Sequence, residues 1–315
     1  MKKLIFVGAL SYLAVFLFVS CSPQEGEIFH GALGLNEARV IVSSSIAGSQ
    51  LITMFDQDGN YLKTLYDYTD IAGTPRGLAK HSAISFIAAI DGLNQFDILS
   101  IDGSRSVWST HTQVTATFYD MIQDSANNMY AIEVVTPASN NQIEKFDSMG
   151  KRIPISATTA YINNALGGCT LSTPTSMAIN SNGQLTVANN VTSTISVYNL
   201  GATPTCAVQT AFGNNPRGLL AHSNGSLYVV TIANAQETLW RADSQGANAQ
   251  SLFANNITIL QDGFAMAELP NGNILVSSFG TDSIVEFTED GTYVKNFAKS
   301  AYTNDVYDIL VLGGN

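Results

Sequence analysis

An all-β ring of six four-stranded antiparallel blades is what this sequence predicts, and three observations carry the prediction. An inner-strand signature recurs six times along the chain, and a second signature, an apolar strand ending in a turn, recurs the same number of times. The two ends of the folded region each supply what the other lacks.

The repeat is plainest in Asp262 to Phe297, DGFAMAELPNGNILVSSFGTDSIVEFTEDGTYVKNF. Four short apolar runs, Phe264 to Ala267, Ile274 to Val276, Ser283 to Phe287 and Tyr293 to Phe297, are cut by Pro270-Asn271-Gly272, Gly280-Thr281-Asp282 and Glu289-Asp290-Gly291. Asn-Gly and Asp-Gly tolerate the positive φ of tight hairpin turns, and runs this short do not sustain a helix. The stretch therefore reads as a four-stranded meander. Both of its faces are largely apolar, so it needs copies stacked on either side.

Those copies are present. Taking the inner strand as template, the equivalent apolar positions are Leu78, Met121, Met177, Leu219, Met266 and Ile309, at spacings of 43, 56, 42, 47 and 43 residues. The longest spacing holds Ala165 to Cys169 and reads as a blade with an inserted loop. The second signature appears at Phe55-Asp56-Gln57-Asp58-Gly59, Ile101-Asp102-Gly103, Phe146 to Gly150, Tyr198 to Gly201, Ala242 to Gly246 and Phe287 to Gly291. Two independent markers give one count. Blades are expected near residues 38–65, 75–110, 118–156, 174–210, 216–253 and 263–297. Val306 to Asn315 aligns with Phe264 to Asn273 and supplies only an inner strand, whereas Ala38 to Leu65 supplies only the outer three. The last strand is thus expected to complete the first blade and close a six-bladed β-propeller over residues 37–315, removing free sheet edges.

Ahead of this region, Met1 to Ser20 pairs Lys2 and Lys3 with an apolar run from Leu4 to Val19, too short for an ordinary bilayer span and flanked like a cleaved leader. Its end, Val19-Ser20-Cys21, resembles the lipobox of bacterial lipoproteins, with Phe18 a less usual occupant three positions before the cysteine. The resemblance implies that residues 1–20 are a signal peptide and that Cys21 is the acylated first residue of the mature chain, bearing palmitate-type chains that hold it at a membrane. Ser22 beside it implies sorting to the outer membrane, facing the periplasm or the cell surface. The plainer reading is an ordinary secretory leader with an incidental cysteine. Residues 21–36, polar and aperiodic after the cysteine, read as a tether.

With Cys21 set aside, Cys169 and Cys206 remain. In an oxidising compartment such a pair forms a disulfide, here closing 37 positions and worth about 3–4 kcal/mol, the alternative being two buried thiols. Neither has a second Cys or a His at zinc-ligand spacing.

Pro-x-Gly-Leu-Ala, as in Pro75 to Ala79, followed downstream by Asn-Gly turns, Leu227-Tyr228-Val229-Val230 and Phe-Asp-x-x-Gly, resembles NHL-repeat propellers and the related senescence-marker/gluconolactonase six-bladed family. The resemblance covers about residues 38–315, and such motifs specify a blade far better than an activity. The gluconolactonase-like members hold a divalent ion with a Glu, an Asn and an Asp at inner-strand entrances, which makes Asp262 a weak candidate metal ligand. The rest of that set is incomplete. Arg217 stands where the Asn would be expected, and no Glu precedes Val306-Tyr307-Asp308. A lactonase-like hydrolase or lyase is therefore the alternative reading, and Asp262 is otherwise a turn residue.

Residues just before the six markers should surround the mouth of the central channel: Arg76, Tyr119, Thr175, Arg217, Phe264 and Tyr307, with Asp120 and Asp308 next to the marker. The two arginines fall on opposed blades. Arginine, carboxylate and aromatic rings together suit a protein, peptide or glycan ligand, the bland alternative being that the arginines simply neutralise the aspartates. His81 and His222 read as solvated turn residues. Trp108 and Trp240 read as packing between blades. No nucleophile elbow or phosphate-cradling loop appears, so the sequence names no catalytic residue and calls for no cofactor. Formal net charge is −11 with no Lys/Arg run, which excludes nucleic acid as a partner. The primary expectation is a lipid-anchored, non-catalytic binding or scaffold module of the cell envelope.

Overall fold

The chain divides into two units, Met1–Gly34 and Leu35–Asn315. The computed structural model describes residues 37–46, 48–71, 73–110, 116–135, 141–154, 161–163, 168–233, 236–254, 256–299 and 302–314. The leader, Cys21 and the tether before residue 37 lie outside the described residues, as does most of the inserted loop before Cys169.

Six four-stranded antiparallel sheets are arranged as a β-propeller. The first blade holds β1 (Arg39–Ile46), β2 (Ser49–Asp56) and β3 (Tyr61–Asp67); the second β4 (Thr74–Lys80), β5 (Ser85–Asp91), β6 (Gln95–Ser100) and β7 (Arg105–Thr110). The third holds β8 (Ala116–Gln123), β9 (Met129–Val135), β10 (Gln142–Phe146) and β11 (Ile162–Asn163); the fourth β12 (Pro174–Ile179), β13 (Leu185–Asn189), β14 (Thr194–Asn199) and β15 (Thr205–Ala211). The fifth holds β16 (Asn215–Ala221), β17 (Leu227–Ala233), β18 (Gln236–Ala242) and β19 (Gln250–Ala254); the sixth β20 (Gly263–Glu268), β21 (Ile274–Ser278), β22 (Ser283–Phe287) and β23 (Tyr293–Lys299). The final strand, β24 (Val306–Leu312), pairs antiparallel with β1, Val42 opposite Ile309. That pairing closes the ring, as the complementary chain ends require, and the inner strands touch in the cyclic order β4, β8, β12, β16, β20, β24, β4.

One boundary differs from the sequence expectation. The third blade does not end near residue 156, because its outer strand is the short β11 at Ile162–Asn163, paired with Gln142 and Ile143. The extra chain of the longest spacing therefore lies within and after this blade's outer edge.

The markers face backward around the ring. Leu78 packs with Ile41 and Met54 of the first blade, Met121 with Ile87 and Phe96 of the second, and Ile309 with Leu275 and Ile284 of the sixth. Each inter-blade seam is thus its own apolar core, and burying both sheet faces this way is what stabilises a blade that could not stand alone. Repeated turns are self-capping. The Oδ1 atom of Asp56, Asp124, Asp147, Asn180 or Asp243 accepts the backbone N–H groups two and four residues ahead, which explains why the Phe-Asp-x-x-Gly signature carries an aspartate. Cys169 and Cys206 form a disulfide with Cα atoms 5.5 Å apart, tying the segment that enters the fourth blade to its outer strand β15.

Every inner strand carries a β-bulge at the same place. Pairing jumps between Pro75 and Leu78, Phe118 and Met121, Pro174 and Ser176, Pro216 and Gly218, Gly263 and Met266, and Val306 and Asp308. A bulge bends the strand and leaves backbone groups out of the ladder. The neighbouring blade approaches closely at these points. A Cβ on Gly218 would come within 2.1 Å of the Phe264 carbonyl oxygen, and one on Gly77 within 2.8 Å of the Asp120 backbone. Gly218→Ala is expected to lower the unfolding free energy by about 1–3 kcal/mol in chemical denaturation, since the fifth and sixth blades must separate to admit the methyl group. An unchanged midpoint would show that this seam is not closely packed.

Candidate functional site

The residues that the bulges take out of register are the ones the sequence placed around the mouth. Arg76, Tyr119, Thr175, Arg217, Phe264 and Tyr307 all line one cavity of about 500 Å³, joined by Thr173, Asn190, Asp262 and Phe279. Thr173 and Asp262 come from segments leading into inner strands, and Asn190 and Phe279 from turns between second and third strands. Both loop sets therefore open on one face. Beneath the mouth a second cavity of about 350 Å³ runs between the inner strands, sharing Tyr119, Phe264 and Tyr307 with the mouth and adding Asp120 and Asp308.

Tyr119 and Phe264 project from the third and sixth blades, which face one another across the ring, and their ring centroids lie 6.4 Å apart. The two side chains meet near the axis and form a floor between the cavities. Tyr307 sits beside them, 6.3 Å from Phe279. The Arg76 guanidinium lies 4.6 Å from the Tyr307 centroid and 5.6 Å from that of Tyr119, a cation–π arrangement that fixes its plane.

The arginines do not neutralise the two channel aspartates. Arg76 Nε donates to Asp91 Oδ2 at 3.0 Å, at the end of β5, and Arg217 Nη1 lies 3.6 Å from Asp262 Oδ1. Among the described residues neither Nη of Arg76 has a hydrogen-bond acceptor, and Arg217 makes no hydrogen bond to a side chain. Asp91, Asn190 and Phe279 were not legible as site residues, because they belong to second strands and their turns, which carry no inner-strand signature.

Asp120 and Asp308 have a different task. Asp308 Oδ2 accepts Leu78 N–H of the second blade at 2.6 Å, and its Oδ1 accepts Ile309 N–H at 2.8 Å. Asp120 Oδ2 accepts Met177 N–H of the fourth blade at 2.6 Å and Ser176 Oγ–H at 2.9 Å, while its Oδ1 accepts Met121 N–H at 2.6 Å. Ser176 continues the series, its Oγ accepting Leu219 N–H of the fifth blade at 3.1 Å. These side chains cap backbone donors released by the bulges. They sit on the first and third blades, one blade apart and so nearer to each other than opposed positions would be. Both side chains line the lower cavity and are only partly exposed to it. Burial pushes Asp120 up to about 6 against the hydrogen bonds that favour its ionised form. Burial, and then the charge of Asp120, push Asp308 well above the usual carboxylate range.

Asp262, the candidate metal ligand, has φ of 52° and faces a guanidinium where a divalent ion would have to sit. Among the described residues no three His, Cys, Asp or Glu side chains converge as a metal site. On the other face, His81 is partly exposed and hydrogen-bonds Ser85 through Nδ1. His222 departs from expectation, being buried with its side chain 2% exposed. Its Nδ1 accepts Asn224 N–H at 3.1 Å, so Nε2 carries the proton and donates to the Gly272 carbonyl at 2.9 Å, a link to the sixth blade that a turn signature cannot reveal.

The raised aspartates set a direction for stability against pH. Unfolded, Asp120 titrates near 3.8; folded, near about 6. Between these values only the folded state holds the proton, so stability increases as pH falls through about 6 and the gain is complete below the unfolded value. The thermal midpoint is expected to rise on acidification from about pH 7.5 to about pH 5, and to rise less in the Asp120→Asn, Asp308→Asn double variant. A midpoint that falls across this interval in the unaltered protein would contradict the assignment.

No known sequence family matches the chain, and no curated protein matches it. Solved structures do. The propeller chain of a nidogen/laminin complex superposes with a TM-score of 0.66 at 13% identity, covering 88% of this chain and 99% of that one. Virginiamycin B lyase from Staphylococcus aureus, in a complex with quinupristin, gives 0.57 at 14% identity over 84% and 85% of the two chains. A putative 6-phosphogluconolactonase from Bacteroides fragilis gives 0.54 at 12% identity over 88% and 98%. At these identities the likeness is one of fold, and it joins this chain to proteins whose described roles range from partner binding to bond cleavage.

Proposed function

We propose that this chain is a lipid-anchored, non-catalytic binding module of the cell envelope, whose propeller mouth receives an acidic group of a protein, peptide or glycan. The observation that carries the reading is the mouth's pair of arginines with unspent N–H donors, set among four aromatic rings on a chain that is otherwise strongly acidic. A guanidinium held in place by Asp91 and by stacking on tyrosine presents a ready fork to a carboxylate, and loses little further freedom when it binds one. Tyr119 and Tyr307 add apolar surface with hydroxyls that have no protein partner among the described residues, a combination suited to ligands that are part apolar and part polar. Binding partners among the structural neighbours, as the nidogen/laminin complex is named, support a role for such a ring in recognition.

Anchoring belongs to the same proposal. Acylation of Cys21 would hold the propeller by the 21–36 tether at the outer membrane, facing the periplasm or the cell surface. Cys21→Ser is expected to abolish metabolic labelling with palmitate and to move the protein from the membrane pellet to the soluble fraction. Retained label would dismiss the anchor. For the mouth, replacing Arg76 and Arg217 together by Ala is expected to weaken binding of carboxylate ligands by about tenfold or more in calorimetry on the purified 37–315 region. Equal affinity of variant and parent would remove the mouth as the binding site.

A further inference from the structure

The two mouth arginines belong to the second and fifth blades, three apart in a ring of six, so they approach the same cavity from opposite sides. Neither is spent. Arg76 uses Nε on Asp91 and its flat faces on Tyr307 and Tyr119, leaving the in-plane Nη edge open. Among the described residues the Arg217 guanidinium meets only Asp262 Oδ1, at 3.6 Å. Between them the floor is aromatic, with Tyr119 and Phe264 6.4 Å apart centroid to centroid, too close to admit another ring between them. A ligand in the mouth lies across this floor instead of threading the channel.

Resting on the anion-binding reading given above, we infer that the ligand is two-ended: a dianion with a flat apolar body, one acidic group on the Arg76 fork, the other on Arg217, and the body over Tyr119, Phe264 and Tyr307. A ligand with a single acidic group would cover the second guanidinium while leaving N–H donors of it without an acceptor, which costs binding energy. A second acid on the same rigid body meets its arginine at high effective concentration and adds affinity without added ordering cost. The 500 Å³ mouth accommodates a body of two aromatic rings.

The test uses matched acids as probes: benzoate against terephthalate, and biphenyl carboxylate against biphenyl dicarboxylate, titrated calorimetrically into the purified 37–315 region. At least one dicarboxylate is expected to bind about tenfold or more tightly than its monocarboxylate. Arg76→Gln and Arg217→Ala are each expected to reduce that dicarboxylate to the affinity of the monoacid. Arg217→Ala, which removes only a long contact with Asp262, is expected to keep the thermal midpoint of the parent, so it carries the test even if Arg76→Gln fails to fold. Equal affinity for mono- and dicarboxylates, with both lost in the double arginine variant, would overturn the two-ended ligand and leave an anion-binding mouth. Binding untouched by the arginine substitutions, or no binding of any of these acids, would overturn both.

Discussion

Backbone N–H groups freed by the inner-strand bulges, and the side chains that cap them from the preceding blade, are the contacts on which the ring depends. A buried donor left without an acceptor costs about 1–3 kcal/mol, so each bulge around a narrow channel demands a solution. Asp308 caps Leu78, Asp120 caps Met177 and Ser176 caps Leu219. Where the capping position is Gly77 or Gly218, backbone approaches backbone instead, closer than any Cβ would permit. Apolar seams supply most of the burial, and these polar links fix how far each blade is rotated against the next.

The same bulges create the mouth. A regular strand would alternate its side chains between the two neighbouring blades, and none would be free to point at the opening. One extra residue per inner strand releases Arg76, Tyr119, Thr175, Arg217, Phe264 and Tyr307 from that alternation. Ring construction and the lining of the mouth therefore share one backbone irregularity, and adjacent residues of the Tyr119-Asp120 and Tyr307-Asp308 pairs divide the work, the tyrosine lining the mouth and the aspartate capping a neighbouring blade.

Charge is separated along the channel in consequence. The arginines stay at the mouth with acids from second strands and entering loops, while two carboxylates with raised pKa values lie below the aromatic floor. Protonating the lower pair relieves the repulsion between Asp120 and Asp308 without touching the guanidinium groups that line the mouth.

Blade count, closure by the chain's own last strand and six of the residues that line the mouth cavity were legible in the sequence, because they follow from period and alignment: Leu78, Met121 and their equivalents mark the repeat, and Val306 to Leu312 supplies the strand that β1 lacks, whereas Asp120 and Asp308, expected at the mouth, line the cavity beneath it. Pairing of charges was not. Arg76 with Asp91, Arg217 with Asp262 and His222 with the Gly272 carbonyl join different strands or blades, and which partner is reached depends on where a bulge aims a side chain and how closely two blades approach. The sequence by itself determined the wheel and the residues at its hub. Only the tertiary structure decided that the aspartates face backbone donors and that the arginines pair with Asp91 and Asp262 at the mouth, since a shift of one residue in register turns a side chain from a neighbouring blade toward the opening.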